Sequence, residues 1–200
     1  MLREQILEVI LNTWPMILIC MVIIITLRIT YFIKNKTKPI IYKELLSAAF
    51  IIYVLCLFYV VTFQDVNYAN SNFIPFKEMF RYDFGTRLFI KNIIGNIVLF
   101  IPYGFFIGYY LKLEKFKLSF LLTLIVSITI ETTQLAIGRV FDIDDILLNV
   151  IGGLLGTYVY TVLSKIKGVL PASLQKSWFY NIIILLISVI FVLYLFKLGV

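Results

Sequence analysis

Six apolar runs, each close to the length that crosses a bilayer, decide what a chain like this can fold into. A hydrocarbon core of about 30 Å takes about 20 helical residues, and runs near that size read at Trp14 to Ile33, Leu45 to Phe63, Leu88 to Leu111, Leu118 to Ile137, Ile146 to Leu163 and Phe179 to Phe196. In lipid every backbone polar group must be satisfied within the protein. The expected fold class is therefore all-α, a polytopic membrane helical bundle of about six transmembrane helices. Lys91 and Glu131 lie inside the third and fourth runs, and the fifth is short and rich in glycine, so five spans is the alternative. Composition agrees, with 62% hydrophobic and 14% charged residues against about 45–50% and about 25% in soluble domains. Spans of this size leave no room in 200 residues for a separate soluble catalytic domain. The N-terminal region is long, mixed in charge and without an A-x-A cleavage site, so the first span is expected to be retained.

Several kinds of chemistry are excluded. Histidine is absent, which removes the commonest general base, the usual zinc ligand and any Ser-His or Cys-His nucleophile pair. Cys20 and Cys56 sit inside apolar runs and read as small buried hydrophobes, not as a disulfide. The net charge of +7 comes from lysines in short connections. It signals topology and attraction to lipid head groups, with no nucleic-acid partner.

Orientation follows from those lysines. Lys34, Lys36, Lys38 and Lys43 share a side with Lys112, Lys115 and Lys117 and with Lys165, Lys167 and Lys176. The opposite side holds Arg3, Lys77, Arg81, Arg87, Lys91, Arg139 and Lys197, most of them spread along one long connection from Gln64 to Leu88. The richer side is expected to be cytoplasmic, placing both termini and the Asp142–Asp145 loop on the extracytoplasmic side. The aromatic-rich long connection reads either as an amphipathic interfacial segment or as a plain loop with aromatic belt residues.

Polar residues inside the spans gather at the same depth. Glu131 lies about 10 Å below the outer surface, Asn92 and Asn96 about 6 and 12 Å, and Asn149 about 6 Å inside the start of its helix, at 1.5 Å per residue. Gln134 follows Glu131 at i+3, and Asn92 and Asn96 are spaced i, i+4, so each pair shares a helix face. A carboxylate at such depth costs about 2.5–3.5 kcal/mol on insertion scales and must face a partner, the bundle interior or water. Structural alternatives are a Glu131 paired with Arg139 and asparagines acting only as interhelical glue. Gly152 with Gly156 and Gly104 with Gly108 form G-x-x-x-G patterns for close helix approach, and Pro102 is expected to break or kink the third helix. Helices three, four and five should thus pack tightly around a polar cleft.

The stretch RVFDIDDILLNVIGG, Arg139 to Gly153, forms one wall. Its aspartates admit three readings. Asp142 could cap the fifth helix, with Asp145 three residues on. Asp142, Asp144 and Asp145 could hold a hard cation with Asn149, although no EF-hand spacing is present. The acids with Arg139 could instead bind a polar head group without metal. No cofactor is expected, a divalent cation being the alternative.

Asn72-x-x-Pro75-Phe76, Asn96-x-x-x-Phe100-x-Pro102-x-Gly104, Glu131-x-x-Gln134 and Arg139-x-x-Asp142-x-Asp144-Asp145-x-x-x-Asn149-x-x-Gly152 together resemble the VanZ-like family of bacterial membrane proteins. The resemblance covers roughly residues 45–165. It implies a core domain there, preceded by a first helix and cytoplasmic loop over 1–44 and followed by a C-terminal helix over 166–200. It also implies residence in the bacterial cytoplasmic membrane and a link to low-level resistance to teicoplanin.

Function divides into three readings. The first is a binding or modulating protein whose outer cleft, lined by Asn92, Asn96, Glu131, Gln134, Arg139, Asp142, Asp144, Asp145 and Asn149, engages membrane lipid or a lipid-linked cell-wall component. The alternative is an intramembrane enzyme acting on a lipid-linked phosphate or glycan, with Glu131 or Asp145 as base and Arg139 meeting phosphate. No recognised nucleophile accompanies those acids, so the reading leans away from an enzyme. A proton-coupled carrier titrating Glu131 is the third, weakened because the polar residues stop halfway across. Oligomeric state stays open, since glycine-mediated packing serves subunits as well as helices.

Overall fold

The computed structural model describes residues 2–63, 71–113 and 115–198; residues 64–70, the first part of the long connection, and residue 114 lie outside the described residues. Six helices are long and apolar enough to cross a membrane. They are α1 Leu2–Asn35, α2 Ile41–Phe63, α3 Arg87–Leu111, α4 Phe116–Ala136, α5 Ile143–Val169 and α6 Ser177–Leu198. The chain is an all-α multi-pass membrane protein with six spans.

Helix ends extend beyond the apolar runs for local reasons. α1 begins at Leu2, ahead of the run at Trp14, because Leu, Arg, Glu and Gln in that stretch are good helix formers and no glycine or proline interrupts them before Pro15. α5 starts at Ile143, where Asp144 and Asp145 in the first turn suit the positive end of the dipole and Lys167 in the last turn suits the negative end. Pro102 does not break α3, which continues as α-helix from Gly95 to Leu111. The irregularity lies earlier, in a π-helical turn at Ile90–Ile94 whose wider turn sends the Gly95 N–H to the Ile90 carbonyl.

The chain forms two compact units, Met1–Val60 with Gly168–Val200, and Val61–Lys167. In the first, polar ties join apolar helices. Asn12 Nδ2 donates to the Tyr59 hydroxyl at 2.8 Å, Arg28 Nε donates to Glu44 Oε2 at 2.7 Å, and the Tyr42 N–H donates to Asn181 Oδ1 at 2.9 Å. Cys20 and Cys56 are free and half-buried.

The second unit is built on two seams. Along α3 and α5 the contact is backbone to backbone. A Cβ added at Gly104 would overlap the Gly153 carbonyl, one at Gly152 the Ile97 carbonyl, and one at Gly156 the Ile101 carbonyl, so only glycine permits this approach. Along α4 and α5, residues with small side chains meet in a ladder. Ser119, Thr123, Ser127 and Glu131 recur every fourth residue on α4, and all four are buried. Ser119 lies 2.5 Å from the Thr157 hydroxyl, Thr123 packs on Gly153, and Ser127 accepts from Asn149 Nδ2 at 2.9 Å. Each four-residue step along α4 is matched by a four-residue step back along α5.

Candidate functional site

The turn from α4 to α5 places the acids. α4 ends at Ala136, Gly138 reverses the chain at φ +82°, and the Arg139 N–H donates to the Gln134 carbonyl at 2.9 Å. The chain then passes beside Asn72. Asn72 N–H donates to the Phe141 carbonyl at 2.8 Å and its own carbonyl accepts from Ile143 N–H at 3.1 Å, while the rings of Phe73 and Phe141 stack at 5.1 Å. The long connection is thereby stitched to the start of α5.

Each aspartate of the DIDD stretch has its own task. Asp142 caps α5, its Oδ1 accepting from the Asp144 N–H at 2.9 Å as an N-cap carboxylate does, and the same oxygen accepts from Asn72 Nδ2 at 2.9 Å. Burial pushes its carboxyl above the usual carboxylate range, opposed by these two donors. Asp144 is fully buried and gathers the connection. Its Oδ1 accepts from Phe76 N–H at 2.5 Å, and its Oδ2 from Glu78 and Met79 N–H at 2.8 and 3.0 Å. Phe76 is held at φ +68°, a region costly for a bulky residue, and the charge-assisted bond to Asp144 offsets that strain. Asp145 is half-buried and accepts from Asn96 Nδ2.

Around them stand the other expected residues. Glu131 Oε2 accepts from the Asp142 N–H at 3.0 Å. Asn149 is buried one turn inward of Asp145, and its Oδ1 has no hydrogen-bond partner. Arg139 Nη1 and Gln134 Nε2 both donate to the Val61 carbonyl at the end of α2, the latter at 3.3 Å. Asn92 is half-buried within the π-helical turn. Among the described residues it is not hydrogen-bonded into the cluster.

Asn96, Glu131, Asp142, Asp145 and Asn149 are thus brought together at one end of α3, α4 and α5. Asp144 faces the connection instead, and Gln134 and Arg139 are held at the Val61 carbonyl. Among the described residues no three acids are arranged to hold a metal ion. Beyond the acids, the connection displays exposed Phe73, Ile74, Phe76, Phe80 and Phe84. Two contributors have roles that the sequence left unassigned. Asn72, marked in the sequence only by the Asn72-x-x-Pro75-Phe76 pattern, is buried at the centre of the stitching. The Ser119, Thr123, Ser127 and Glu131 spacing was readable as a small-residue stripe ending in an acid.

Comparison with known proteins places these residues in a family context. The family described as VanZ/LLP1 matches residues 50–164, a range containing every residue of the cluster. A curated relative, Protein VanZ of Enterococcus faecium, is 35% identical over 77 residues, covering 38% of this chain and 47% of that protein. The matched part spans about half of that relative's length. No solved structure matches the chain.

Proposed function

The chain belongs to the VanZ/LLP1 family, and from that premise we propose that it is a protein of the bacterial cytoplasmic membrane that lowers sensitivity to teicoplanin. It does so by binding or modulating a lipid or lipid-linked envelope component in the cleft formed by Asn96, Glu131, Asp145 and Asn149. The lysine-rich connections face the cytoplasm, and the α4–α5 turn opens outward. The observation that carries this reading is the buried Asn149 carbonyl oxygen without a partner beneath the acids. A buried polar atom left unsatisfied costs about 1–3 kcal/mol, and a bound group that donates to it removes that cost.

The test is expression of Glu131→Gln, Asp145→Asn and Asn149→Leu in a teicoplanin-sensitive bacterium, beside the unaltered chain. The variants should accumulate normally and lose the tolerance it confers. Full tolerance in all three would sink the cleft reading. Orientation is checked separately with a cysteine at Ile137, which is exposed, in a chain lacking Cys20 and Cys56. An impermeant outside reagent should label it in intact cells.

A further inference from the structure

The α4–α5 ladder has a fourth rung unlike the others. After Ser119 with Thr157, Thr123 with Gly153 and Ser127 with Asn149, the same four-residue register brings Glu131 to Asp145, near enough for their charges to interact. The lower rungs close by hydroxyl contact or by packing. This one sets carboxylate against carboxylate, and among the described residues neither acid is in an ion pair; the pairs present are Arg28 with Glu44 and Arg81 with Glu78.

What is missing at the rung is of one kind. Glu131 uses Oε2 to accept the Asp142 amide, and Asp145 uses Oδ1 to accept Asn96. No described group donates to the second oxygen of either. Asn149 floors the rung, with its Nδ2 turned to Ser127, one turn inward of Glu131, and its Oδ1 buried without a partner. Three acceptors therefore lack donors beside two carboxylates that are in no ion pair; the guanidinium of Arg139 acts on Glu131 only at longer range.

We infer that this rung receives a primary ammonium group, donating to Glu131 Oε1, Asp145 Oδ2 and Asn149 Oδ1. The assignment rests on the cleft reading above and names the chemistry of what the cleft holds. An ammonium carries three N–H donors and one positive charge on a compact atom. A phosphate or carboxylate would meet lone pairs with lone pairs. A quaternary ammonium brings the charge with no donors, and a divalent metal ion lacks a set of three acids among the described residues. The amine reaches the site either on a lipid head group or on a soluble molecule.

The full chain in phosphatidylglycerol nanodiscs, with phosphatidylethanolamine or phosphatidylcholine as a minor guest lipid, tests this by mass-spectrometric measurement of guest retained after detergent extraction. Loss of charge-assisted hydrogen bonds predicts phosphatidylethanolamine retained about tenfold or more over phosphatidylcholine. That preference should vanish in Asn149→Leu and Glu131→Gln and persist in Gly168→Ala. Displacement by free ethanolamine would mark a soluble amine as an equal source, and resistance to it would mark the lipid head group. Melting curves verify that the variants fold, and the comparison of head groups on the unaltered chain needs no variant. Equal retention of both guests, lost together in the variants, overturns the ammonium and leaves the cleft standing. Retention of neither guest, with teicoplanin tolerance also intact in the variants, overturns both.

Discussion

The carboxylate of Glu131 accepts the backbone N–H of Asp142 at 3.0 Å across the turn between α4 and α5. In an ordinary capping box the acid three residues after the cap would take that N–H. Here the acid comes from the neighbouring helix, and Asp145 is released to reach Asn96 on α3. One exchange of partners joins three helices at the acid end.

Glu131→Ala removes this acceptor and leaves a partly buried N–H unpaired, a loss of about 1–3 kcal/mol. Glu131→Gln keeps a carbonyl oxygen in place and should retain most of the stability. Thermal unfolding in detergent, followed by circular dichroism, separates the two. An alanine variant that melts with the unaltered chain would show that the bond is not formed.

Asp144 supports a second prediction, because its two oxygens accept three amides of the connection. Asp144→Ala should release the turn at Phe76, Glu78 and Met79, at a cost of about 3 kcal/mol or more from the loss of charge-assisted bonds. Phe76, freed from φ +68°, would relax toward an ordinary conformation. Hydrogen exchange at those three amides should rise far more than exchange in α4. Unchanged protection there would contradict the anchoring role.

Much of this architecture was legible in the sequence because a bilayer enforces it: apolar length gave six helices, and the cost of burying charge singled out Glu131. The gathering of Asn96, Glu131 and Asn149 followed from depth along ideal helices. Asn92 lies within the Ile90–Ile94 turn, whose i→i+5 bonding nothing in that stretch of sequence announces. Of the break or kink expected at Pro102, a break does not occur, and the helix runs on to Leu111. The division of labour among Asp142, Asp144 and Asp145 was illegible for a different reason. Identical side chains in four residues take their partners from Asn72, the 76–79 amides and Asn96, which are distant in sequence.

The glycine seam predicts opposite outcomes for one kind of substitution within one helix. A Cβ at Gly156 would overlap the backbone at Ile101 and Phe105, whereas one at Gly168 meets nothing within 4 Å. Gly156→Ala must push α3 and α5 apart and should destabilise by about 1–3 kcal/mol. Gly168→Ala adds a better helix former in open space and should stabilise by up to about 1 kcal/mol. Equal effects on unfolding in mixed detergent would contradict the close approach of α3 and α5.

Asp142 fixes the sign of a pH effect at the head of α5. Burial raises its carboxyl above the ordinary value of 3.8, with the charges of Asp144 and Glu78 adding to the rise and the Asn72 and Asp144 donors opposing it. A carboxyl raised in the folded state contributes stability below its unfolded pKa and loses it as pH rises through the folded value. At neutral pH this residue therefore weakens the fold relative to a neutral cap of the same shape. In Asp142→Asn the amide carbonyl still accepts from Asn72 and from the Asp144 N–H, and asparagine caps as well as aspartate. The variant should match or exceed the unaltered chain in melting temperature at about pH 7, and the difference should shrink toward about pH 4 as Asp142 takes up its proton. The substitution also removes the repulsion that Asp142 exerts on Glu131 and Asp145, which acts in the same direction. An advantage of the variant that grows on acidification would reverse the sign and place Asp142 in a charge-stabilising environment.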